Sequence, residues 1–450
     1  MKRTAGVGGG ILGLTLALRL AQRGVAVDLV EAAPELGGLA GPFDYGEFVW
    51  DRFYHCILPS DSKLIGLLGE LGLEQELRWA RTGTGYFANG REYPMNGNRD
   101  FLAFPLLSLW EKARLAWVTV HARRFANPHE LYSISAQDWL TRHCGAHAYE
   151  LFWKPLLQAK FGPYHDKIAA TFIWATITRL FGARSGAAKA EHLGYVSGGY
   201  ARILQSFRAE LERLGVRVRC ATRVRGLARS GNGCRLELEG SSEEYEQVFL
   251  TTPTRLARAL AGELLVPLLD EFEREHPSAT TYLGVICCNL VLERPLTPYY
   301  VLNLGAGAVG LTGVIEMTNL IDPQSQTHGR SLVYLPRYLP SDAPDFDRSD
   351  EELRTDFIER GLLRVFPNLD RATIRSSSIQ RARYVQALPL VRPEGYVRLP
   401  PPRWQSPIAL LNTAMLECAT LNNNEVVGLV DEYVAWHADE IARLRVAPQA

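Results

Sequence analysis

The chain has 450 residues, of which 47% are hydrophobic, and its 49 Lys and Arg residues balance 49 Asp and Glu residues. This length suits two or three domains, and a net charge of zero argues against a nucleic-acid partner, which needs a basic face. The 7 cysteines are scattered and the 10 histidines do not cluster at metal-ligand spacing. We therefore expect no metal site and a reduced, cytoplasmic setting.

The first predicted elements are a strand at residues 4–7, a helix at 10–23 and a second strand at 25–30. Between the first two, residues 8–13 read Gly-Gly-Gly-Ile-Leu-Gly, a G-x-G-x-x-G pattern. Its first glycine permits a tight turn, its second lets the backbone approach a pyrophosphate, and its third lets the helix pack on the strand. The helix N-terminus then offers unpaired N–H groups to the phosphates. The predicted dinucleotide contacts are Gly8, Gly10, Ile11, Leu12 and Gly13.

Glu31 follows the second strand, where a carboxylate accepts hydrogen bonds from ribose hydroxyls and repels a 2′-phosphate. A glycine-rich turn without a ligand is the alternative interpretation. The strand, helix, second strand and terminal acid nevertheless occur in the order that dinucleotide binding requires.

The later segments alternate between helix-like and strand-like patterns, as in an α/β protein. They are a helix-rich, aromatic block at 101–181, a helix at 200–214, strands at 216–227, 234–238 and 247–251, a hairpin turn at 229–233, a strand-rich block at 280–338 and a final helix at 424–444. No linker separates these segments, so we expect the cofactor domain to be assembled from discontinuous pieces.

Residues 31–39 read Glu-Ala-Ala-Pro-Glu-Leu-Gly-Gly-Leu, which places a second glycine pair shortly after the acid. This extended signature resembles the glutathione-reductase-like flavoproteins. It looks most like their amine oxidase, protoporphyrinogen oxidase and phytoene desaturase branch, with UDP-galactopyranose mutase as a cousin. The resemblance implies FAD as the cofactor, because the second glycine pair of that family lets the chain pass close to the FAD phosphates and ribityl. It adds Gly37, Gly38 and Leu39 to the expected FAD contacts.

Segments at 193–200, 222–224, 248–253 and 408–413 resemble further parts of the family's FAD domain. The contacts that they imply are the backbone of Val224 with adenine, Thr252 at a strand end and Asn412 after the last strand. Two departures matter. Relatives often have Gly-Asp where this chain has Asn412-Thr413, and residues 415–420 lack the aromatic pair that cages the amine in amine oxidases. The second departure argues against amine oxidation.

The final helix opens with three asparagines. In relatives this helix N-terminus points at the flavin pyrimidine and stabilises negative charge on the reduced ring. The implied contacts are Asn422, Asn423, Asn424 and Val426. The alternative is that the asparagines only cap the helix.

The resemblance implies an α/β chain, α+β overall. It would combine a glutathione-reductase-like, Rossmann-type FAD domain in discontinuous segments with a substrate domain of mixed sheet and helices. We expect FAD segments at 1–95, 191–265 and 391–450. The helical part of the substrate domain would be 96–190 and its sheet 266–390.

Candidates for chemistry beyond the cofactor are His55, Tyr384 and Gln386. His55 follows a stretch that passes near the flavin in relatives, so it could tune N5 protonation or take a substrate proton; a core histidine is the alternative. Tyr384 and Gln386 alternate to one face of a strand that crosses the flavin in relatives.

Other polar groups have alternatives that the sequence leaves open. Arg52 could instead pair internally with Asp51 or Asp61. Lys160 either reaches the pocket or is a solvated surface residue. Residues 316–319 end a strand at the expected substrate wall, where Met317 stands in place of the histidine found in some relatives.

The expected function is hydride removal from a C–H bond of an apolar, unsaturated or cyclic small molecule, similar to protoporphyrinogen oxidase. One rival is a mutase acting on a nucleotide sugar without net redox change, and it would be favoured if Arg179, Arg184 and Arg337 lined one pocket able to hold a diphosphate. Another is a non-catalytic flavin-binding protein. The stretch from Phe101 to Phe125 suggests peripheral contact with the inner face of the membrane, or else an ordinary buried helix.

Overall fold

The computed structural model describes residues 3–182, 184–185, 190–264, 266–275, 280–305, 310–396, 404, 407–416 and 420–445. Its strands are β1 Thr4–Val7, β2 Val27–Val30, β3 Pro42–Asp44, β4 Val49–Asp51, β5 Leu77–Arg81, β6 Thr84–Ala88, β7 Arg91–Pro94, β8 Arg184–Ser185, β9 Ala190–Val196, β10 Arg217–Arg219, β11 Val224–Ser230, β12 Gly233–Leu238, β13 Ser241–Tyr245, β14 Gln247–Leu250, β15 Tyr282–Leu292, β16 Val301–Leu304, β17 Gly313–Glu316, β18 Ser331–Pro340, β19 Ile374–Ala387 and β20 Ile408–Leu410. Its α-helices are α1 Ile11–Ala21, α2 Ser62–Glu70, α3 Asn98–Ala103, α4 Leu109–Arg124, α5 Ala136–Cys144, α6 Ala146–Ala148, α7 Lys154–Phe161, α8 Ala170–Gly182, α9 Gly199–Arg213, α10 Thr254–Ala261, α11 Val266–Glu275, α12 Pro323–Gln326, α13 Asp350–Thr355, α14 Leu363–Val365, α15 Asn423–Trp436 and α16 Ala438–Arg443.

Five strands form a parallel sheet in the order β10-β2-β1-β14-β20. Strands β1, β2, β14 and β20 are buried at every residue, as expected for a parallel sheet that is covered on both faces. Helix α1 packs against α9 and α15, and the three helices share one apolar core with the sheet. Because the strands come from three separate stretches of chain, this part of the fold is discontinuous, as predicted.

The second large sheet is mixed and has seven strands, in the order β19-β15-β18-β17-β16-β6-β7. Strand β15 is buried at all 11 residues. One core, around Trp50 and Phe53, lies on one side of it, and another, around Phe346 and Phe357, lies on the other. The pairing of β6 with β16 places residues 84–94 in this sheet, although the sequence puts them in the first FAD segment. The boundaries at 95, 190, 265 and 390 stay predictions.

The helix-rich block contains α3 to α8, packed around Phe104, Trp139 and Phe161. No helix in the described part of the chain combines the length and the apolar character needed to cross a bilayer. The predicted hairpin at 229–233 joins β11 to β12. The final helix, predicted as one, is broken into α15 and α16 at His437, whose buried ring packs on Trp404 and Tyr433.

Candidate active site

The turn between β1 and α1 accepts only glycine at two positions. Gly8 has a φ of 116°, and a Cβ atom on it would lie 2.6 Å from Thr251 Oγ1. A Cβ atom on Gly13 would lie 1.9 Å from the carbonyl oxygen of Gly8, so a side chain there would separate the helix from the turn. Helix α1 begins at Ile11, and its N-cap, Gly10, has no side chain to cap it. The N–H groups of its first turn are therefore free to bind an anion.

Glu31 is held in place at the end of β2 by two backbone N–H groups. Oε2 accepts a hydrogen bond from Gly9 N at 2.6 Å, and Oε1 accepts one from Ala33 N at 2.7 Å. Each carboxylate oxygen can accept a further bond. The carboxylate is thus oriented beside the glycine turn, with capacity left for hydroxyl donors.

The second glycine pair lies directly against the first motif. Gly37 N donates to the Gly9 carbonyl at 2.8 Å, and a Cβ atom on Gly38 would lie 3.2 Å from Gly10 Cα. Gly8, Gly10 and Gly38 remain accessible at this junction. The two glycine segments are distant in the chain, since Gly37 lies 24 positions after Gly13. In the fold they meet and form a cradle of backbone atoms alone. Leu39 is half-buried beside it and packs on the core around Trp50.

Arg52 is a candidate cofactor residue for which the sequence suggested only internal ion pairs. Its Nη2 lies 4.0 Å from the position of a Cβ atom on Gly41, just past the second glycine pair. Its Nε is buried and has no hydrogen-bond partner among the described residues. Asp61 pairs with Arg179 instead. A buried guanidinium N–H without a partner beside the glycine cradle fits a bound anionic group.

Two further predicted contacts lie next to this cradle. Thr222 N donates to the Glu31 carbonyl at 2.9 Å, which brings the start of β11, at Val224, close to the end of β2. A Cβ atom on Gly8 would lie 3.7 Å from Thr252 Cγ2, and Thr252 Oγ1 is buried without a partner in the described part of the chain. The backbone cradle, the uncapped helix, the oriented acid and these orphaned donors fit FAD.

The four predicted asparagines all have intramolecular partners. Asn412 is buried, and its amide donates to Thr252 O and Thr254 Oγ1. Asn422 is the N-cap of α15, Asn423 Nδ2 donates to Tyr200 Oη at 2.5 Å, and Asn424 Oδ1 accepts from Lys63 N and Leu64 N.

These contacts give the asparagines a structural role at the α15 terminus. Asn422 caps α15 directly, and Asn424 binds the first turn of α2, so it ties the two helix N-termini together. Val426, in the same turn, is buried in the core. Contact of these residues with FAD stays a prediction.

His55 lies beside a buried carboxylate and an aromatic ring. Its Nδ1 is 3.7 Å from Asp51 Oδ2, too long for a hydrogen bond. Its ring centroid is 4.7 Å from that of Tyr200. Asp51 Oδ1 accepts a hydrogen bond from Tyr200 N at 2.8 Å, which fixes the carboxylate. The small cavity at His55 is also lined by Trp50 and Met317.

A group of buried tyrosines, which the sequence did not single out, adjoins the Asp51–His55 stretch. Tyr54 and Tyr338 share a hydrogen bond of 3.0 Å between their hydroxyls. Tyr334 and Tyr45 both donate to the Asp51 carbonyl, at 2.6 and 3.0 Å. Burial raises the pKa of each of these four hydroxyls. They are therefore neutral hydrogen-bonding groups in an apolar wall.

Lys160 was considered from the sequence either as a pocket residue or as a solvated surface residue. It is half-buried, and its Nζ lies 5.0 Å from the ring centroid of Tyr338, 5.6 Å from that of Phe172 and 5.9 Å from that of Phe161. Burial lowers the pKa of Lys160 to about 8. It is not a solvated surface lysine.

The other sequence candidates are Tyr384, Gln386 and Glu316. The Tyr384 ring meets Tyr282 edge-on at 5.7 Å and packs on the core of the parallel sheet. Gln386 is buried on β19 opposite Leu283. Glu316 is buried and accepts hydrogen bonds from the backbone of Leu296 and Thr297, which makes it a structural residue.

The sequence matches a family model throughout most of its length. The model describes flavin-containing amine oxidoreductases and matches residues 13–401. The chain belongs to this family. It is an enzyme, an FAD-dependent oxidoreductase, as predicted. A search of curated proteins by sequence found no match.

Solved structures of the same fold include several flavoproteins. A protein from Exiguobacterium sp. 255-15, provisionally assigned as a protoporphyrinogen oxidase, has a TM-score of 0.75 at 17% identity, with 98% of this chain and 99% of that chain covered. Reduced UDP-galactopyranose mutase has a TM-score of 0.71 at 14% identity, with full coverage of both chains at 100%. Cyclohexylamine oxidase from Brevibacterium oxydans IH-35A has a TM-score of 0.68 at 14% identity, with 98% and 99% covered. At these identities the likeness establishes the fold.

Within this flavoenzyme, two of the three arginines considered for a diphosphate pocket have separate carboxylate partners. Arg179 pairs with Asp61 at 2.9 Å and lines a cavity of about 420 Å³. Arg337 pairs with Asp356 at 2.7 Å and does not belong to the described lining of that cavity. The side chain of Arg184 lies outside the described residues. The arrangement that would have supported the mutase alternative is therefore not formed by Arg179 and Arg337.

Proposed function

We propose that this oxidoreductase removes hydride from a C–H bond of an apolar or cyclic small molecule, in the manner of a protoporphyrinogen oxidase. Family membership supports the oxidoreductase class, and the substrate is our inference. The observation that carries the proposal is the backbone cradle formed by Gly8–Gly10 and Gly37–Gly38, because a surface without side chains lets the backbone approach the pyrophosphate of a dinucleotide cofactor.

The residues that would hold FAD can be grouped by the part of the cofactor that they would contact. The glycine turn and the α1 N-terminus would bind the diphosphate, Glu31 the ribose, and the stretch at Val224 the adenine. Arg52 and Thr252 supply donors without partners in the described chain. Bound FAD would supply the hydride acceptor, which no protein side chain provides.

His55 is the proton-handling group that we assign to the substrate side. An imidazole can take the proton that remains after hydride leaves a substrate, and the nearby Asp51 carboxylate would stabilise the resulting imidazolium. The oxidised substrate would thereby have lost a hydride and a proton. The neutral tyrosines around Asp51 exclude water from this side, which suits an apolar substrate.

The first experiment is a spectrum of the purified protein. We expect a band at about 450 nm, the property of oxidised flavin on which the proposal depends. Anaerobic addition of apolar unsaturated candidates, porphyrinogens among them, should bleach that band, while polar amines should not. Bleaching by amines alone would contradict the proposed substrate class and leave the family assignment intact.

Two alternatives have distinct outcomes in the same assay. A mutase would convert UDP-galactopyranose only after dithionite reduction and without consuming an acceptor. A non-catalytic flavin protein would bind FAD that no candidate donor reduces.

We further propose that the protein is cytoplasmic and touches the membrane peripherally through residues 101–125, because apolar substrates partition into lipid.

A further inference from the structure

Helix α4 turns an apolar face to the solvent. Eight of its residues are exposed, and six of these are apolar. The six are Leu109, Trp110, Ala113, Ala116, Trp117 and Val120, and the other two are Arg123 and Arg124. Spacings of three and four residues place them on one side of the helix. A surface helix of a globular protein normally turns its polar face to water. Helix α4 departs from this rule, because it is apolar on its exposed side as well as on its buried side, where Leu115, Val118 and Ala122 lie.

The neighbouring segments extend this face into a patch. We call it the α4 patch and define it as Leu102, Leu109, Trp110, Trp117, Val120 and Phe125. Leu109 is 75% exposed, Trp110 72% and Phe125 62%. Of the 12 exposed large hydrophobic residues in the described part of the chain, 6 belong to this patch. Such a concentration marks an interaction surface rather than scattered exposure.

A cationic groove opens beside the two tryptophans. It has a volume of about 380 Å³ and is lined by Trp110, Ala113, Arg114, Trp117, Arg142 and His143. Arg114 is fixed by bonds from Nε to the His143 carbonyl at 2.9 Å and from Nη2 to the Arg142 carbonyl at 2.8 Å. Neither arginine of the groove has a carboxylate partner among the described residues.

The one acid of α4 does not neutralise the groove. Glu111 accepts hydrogen bonds from Ser108 and lies 2.5 Å from His147 Nδ1. Arg124, at the end of the apolar face, also has no partner among the residues described. The patch therefore combines exposed tryptophan and leucine with cations that are free to meet an anion.

We propose that the α4 patch docks on an anionic phospholipid bilayer and that the groove receives a lipid phosphate on Arg114 and Arg142. This inference rests on the peripheral membrane contact proposed above. It adds which surface of the protein makes that contact and which class of lipid the surface binds. Tryptophan prefers the membrane interface, arginine pairs with phosphate in two-point geometry, and an amphipathic surface of this composition inserts at headgroup depth.

The test is co-sedimentation of the full-length holoprotein with vesicles. One set is made of phosphatidylcholine and the other contains phosphatidylglycerol. A double variant, Trp110→Ser with Trp117→Ser, removes the apolar anchors, and Arg142→Gln removes the exposed charge of the groove. The matched controls are Trp436→Ser, an exposed tryptophan on α15, and Arg235→Gln, an exposed arginine on β12.

We expect binding to phosphatidylglycerol vesicles that exceeds binding to phosphatidylcholine. The tryptophan variant should bind roughly tenfold or more weakly, and the arginine variant about fivefold more weakly, which is the scale of one charge. Both controls should match the wild type. All variants should retain their flavin band, because the substituted side chains are on the surface.

Three outcomes overturn the inference in different ways. Loss of binding in the tryptophan variant with none in the arginine variant would leave the membrane contact and refute the phosphate groove. No binding to either vesicle would refute both, while flavin reduction by substrate would still support the proposed reaction. A dimer in lipid-free solution that the tryptophan variant dissociates would assign the patch to a second copy of the chain.

Discussion

A Cβ atom on Gly38 would lie 3.2 Å from Gly10 Cα, which is a tight contact, so the two glycine segments meet closely at this point. The two positions nevertheless respond differently to substitution. Gly38 has a φ of 58°, whereas a Cβ atom on Gly10 would meet nothing nearer than 4.0 Å. A substitution at Gly10 should therefore affect ligand binding without disturbing the fold.

We expect Gly10→Ala to fold normally and to lose FAD, by roughly tenfold or more in affinity, because the new methyl group would occupy the surface that the pyrophosphate approaches. Flavin content and fluorescence titration would measure the affinity, and thermal unfolding of the apoprotein would check the fold. The control is Gly66→Ala in α2, where a Cβ atom would meet nothing within 4 Å. Unchanged FAD affinity in Gly10→Ala would contradict the cradle.

His55→Gln should lower kcat by about 100-fold or more while leaving FAD content unchanged, since a positioned general base contributes on that scale. Tyr200→Phe is the matched control: it keeps the ring against His55 and removes only the hydroxyl that Asn423 binds. Steady-state kinetics over a range of pH would show the change. If His55→Gln kept the wild-type rate, His55 would be a core histidine.

Lys160 makes stability depend on pH. Burial lowers the pKa of Lys160 to about 8, below the unfolded value of about 10.4, so between these values the unfolded chain binds more protons. Stability contributed by this site should therefore rise as pH increases from about 8 to about 10. Lys160→Met should be more stable than the wild type at pH 7, by roughly 1–3 kcal/mol, because it buries no charge.

The measurement for Lys160 is urea unfolding of the wild type and of Lys160→Met at several pH values. The difference between the two proteins should shrink as pH rises, which separates Lys160 from the other titrating groups. Lys154→Met is the control, since Lys154 pairs with Glu150 at 2.7 Å near the surface. A difference that does not change with pH would refute the buried lysine.

Asn422→Ala should destabilise the protein by about 1 kcal/mol, because it removes the N-cap of α15. Asn424→Ala should cost about as much or more, since Oδ1 serves both Lys63 N and Leu64 N and the site is buried. Asn422→Ser keeps a capping oxygen and should restore most of the loss. If all three variants had the same free energy of unfolding as the wild type, these asparagines would not stabilise the fold.

Local patterns in the sequence determined the first part of the cofactor site. Gly8, Gly13 and Gly37 have positive φ or close backbone neighbours that exclude a side chain. Glu31 directly follows β2. Short sequence motifs are therefore enough to predict these positions. The family and the hairpin at 229–233 follow from the same kind of pattern. These features depend on neighbours close in the chain, where spacing is enough to define geometry.

Only the tertiary structure decided the remainder. The hydrogen bond between the Tyr54 and Tyr338 hydroxyls joins residues 284 positions apart. Arg179 forms its ion pair with Asp61. Arg52 lies beside the second glycine pair. Solvent exposure of α4 was likewise undecidable from its sequence, because apolar residues occupy more than one side of it. Which side is buried depends on the helices packed against it, and no local pattern contains that information.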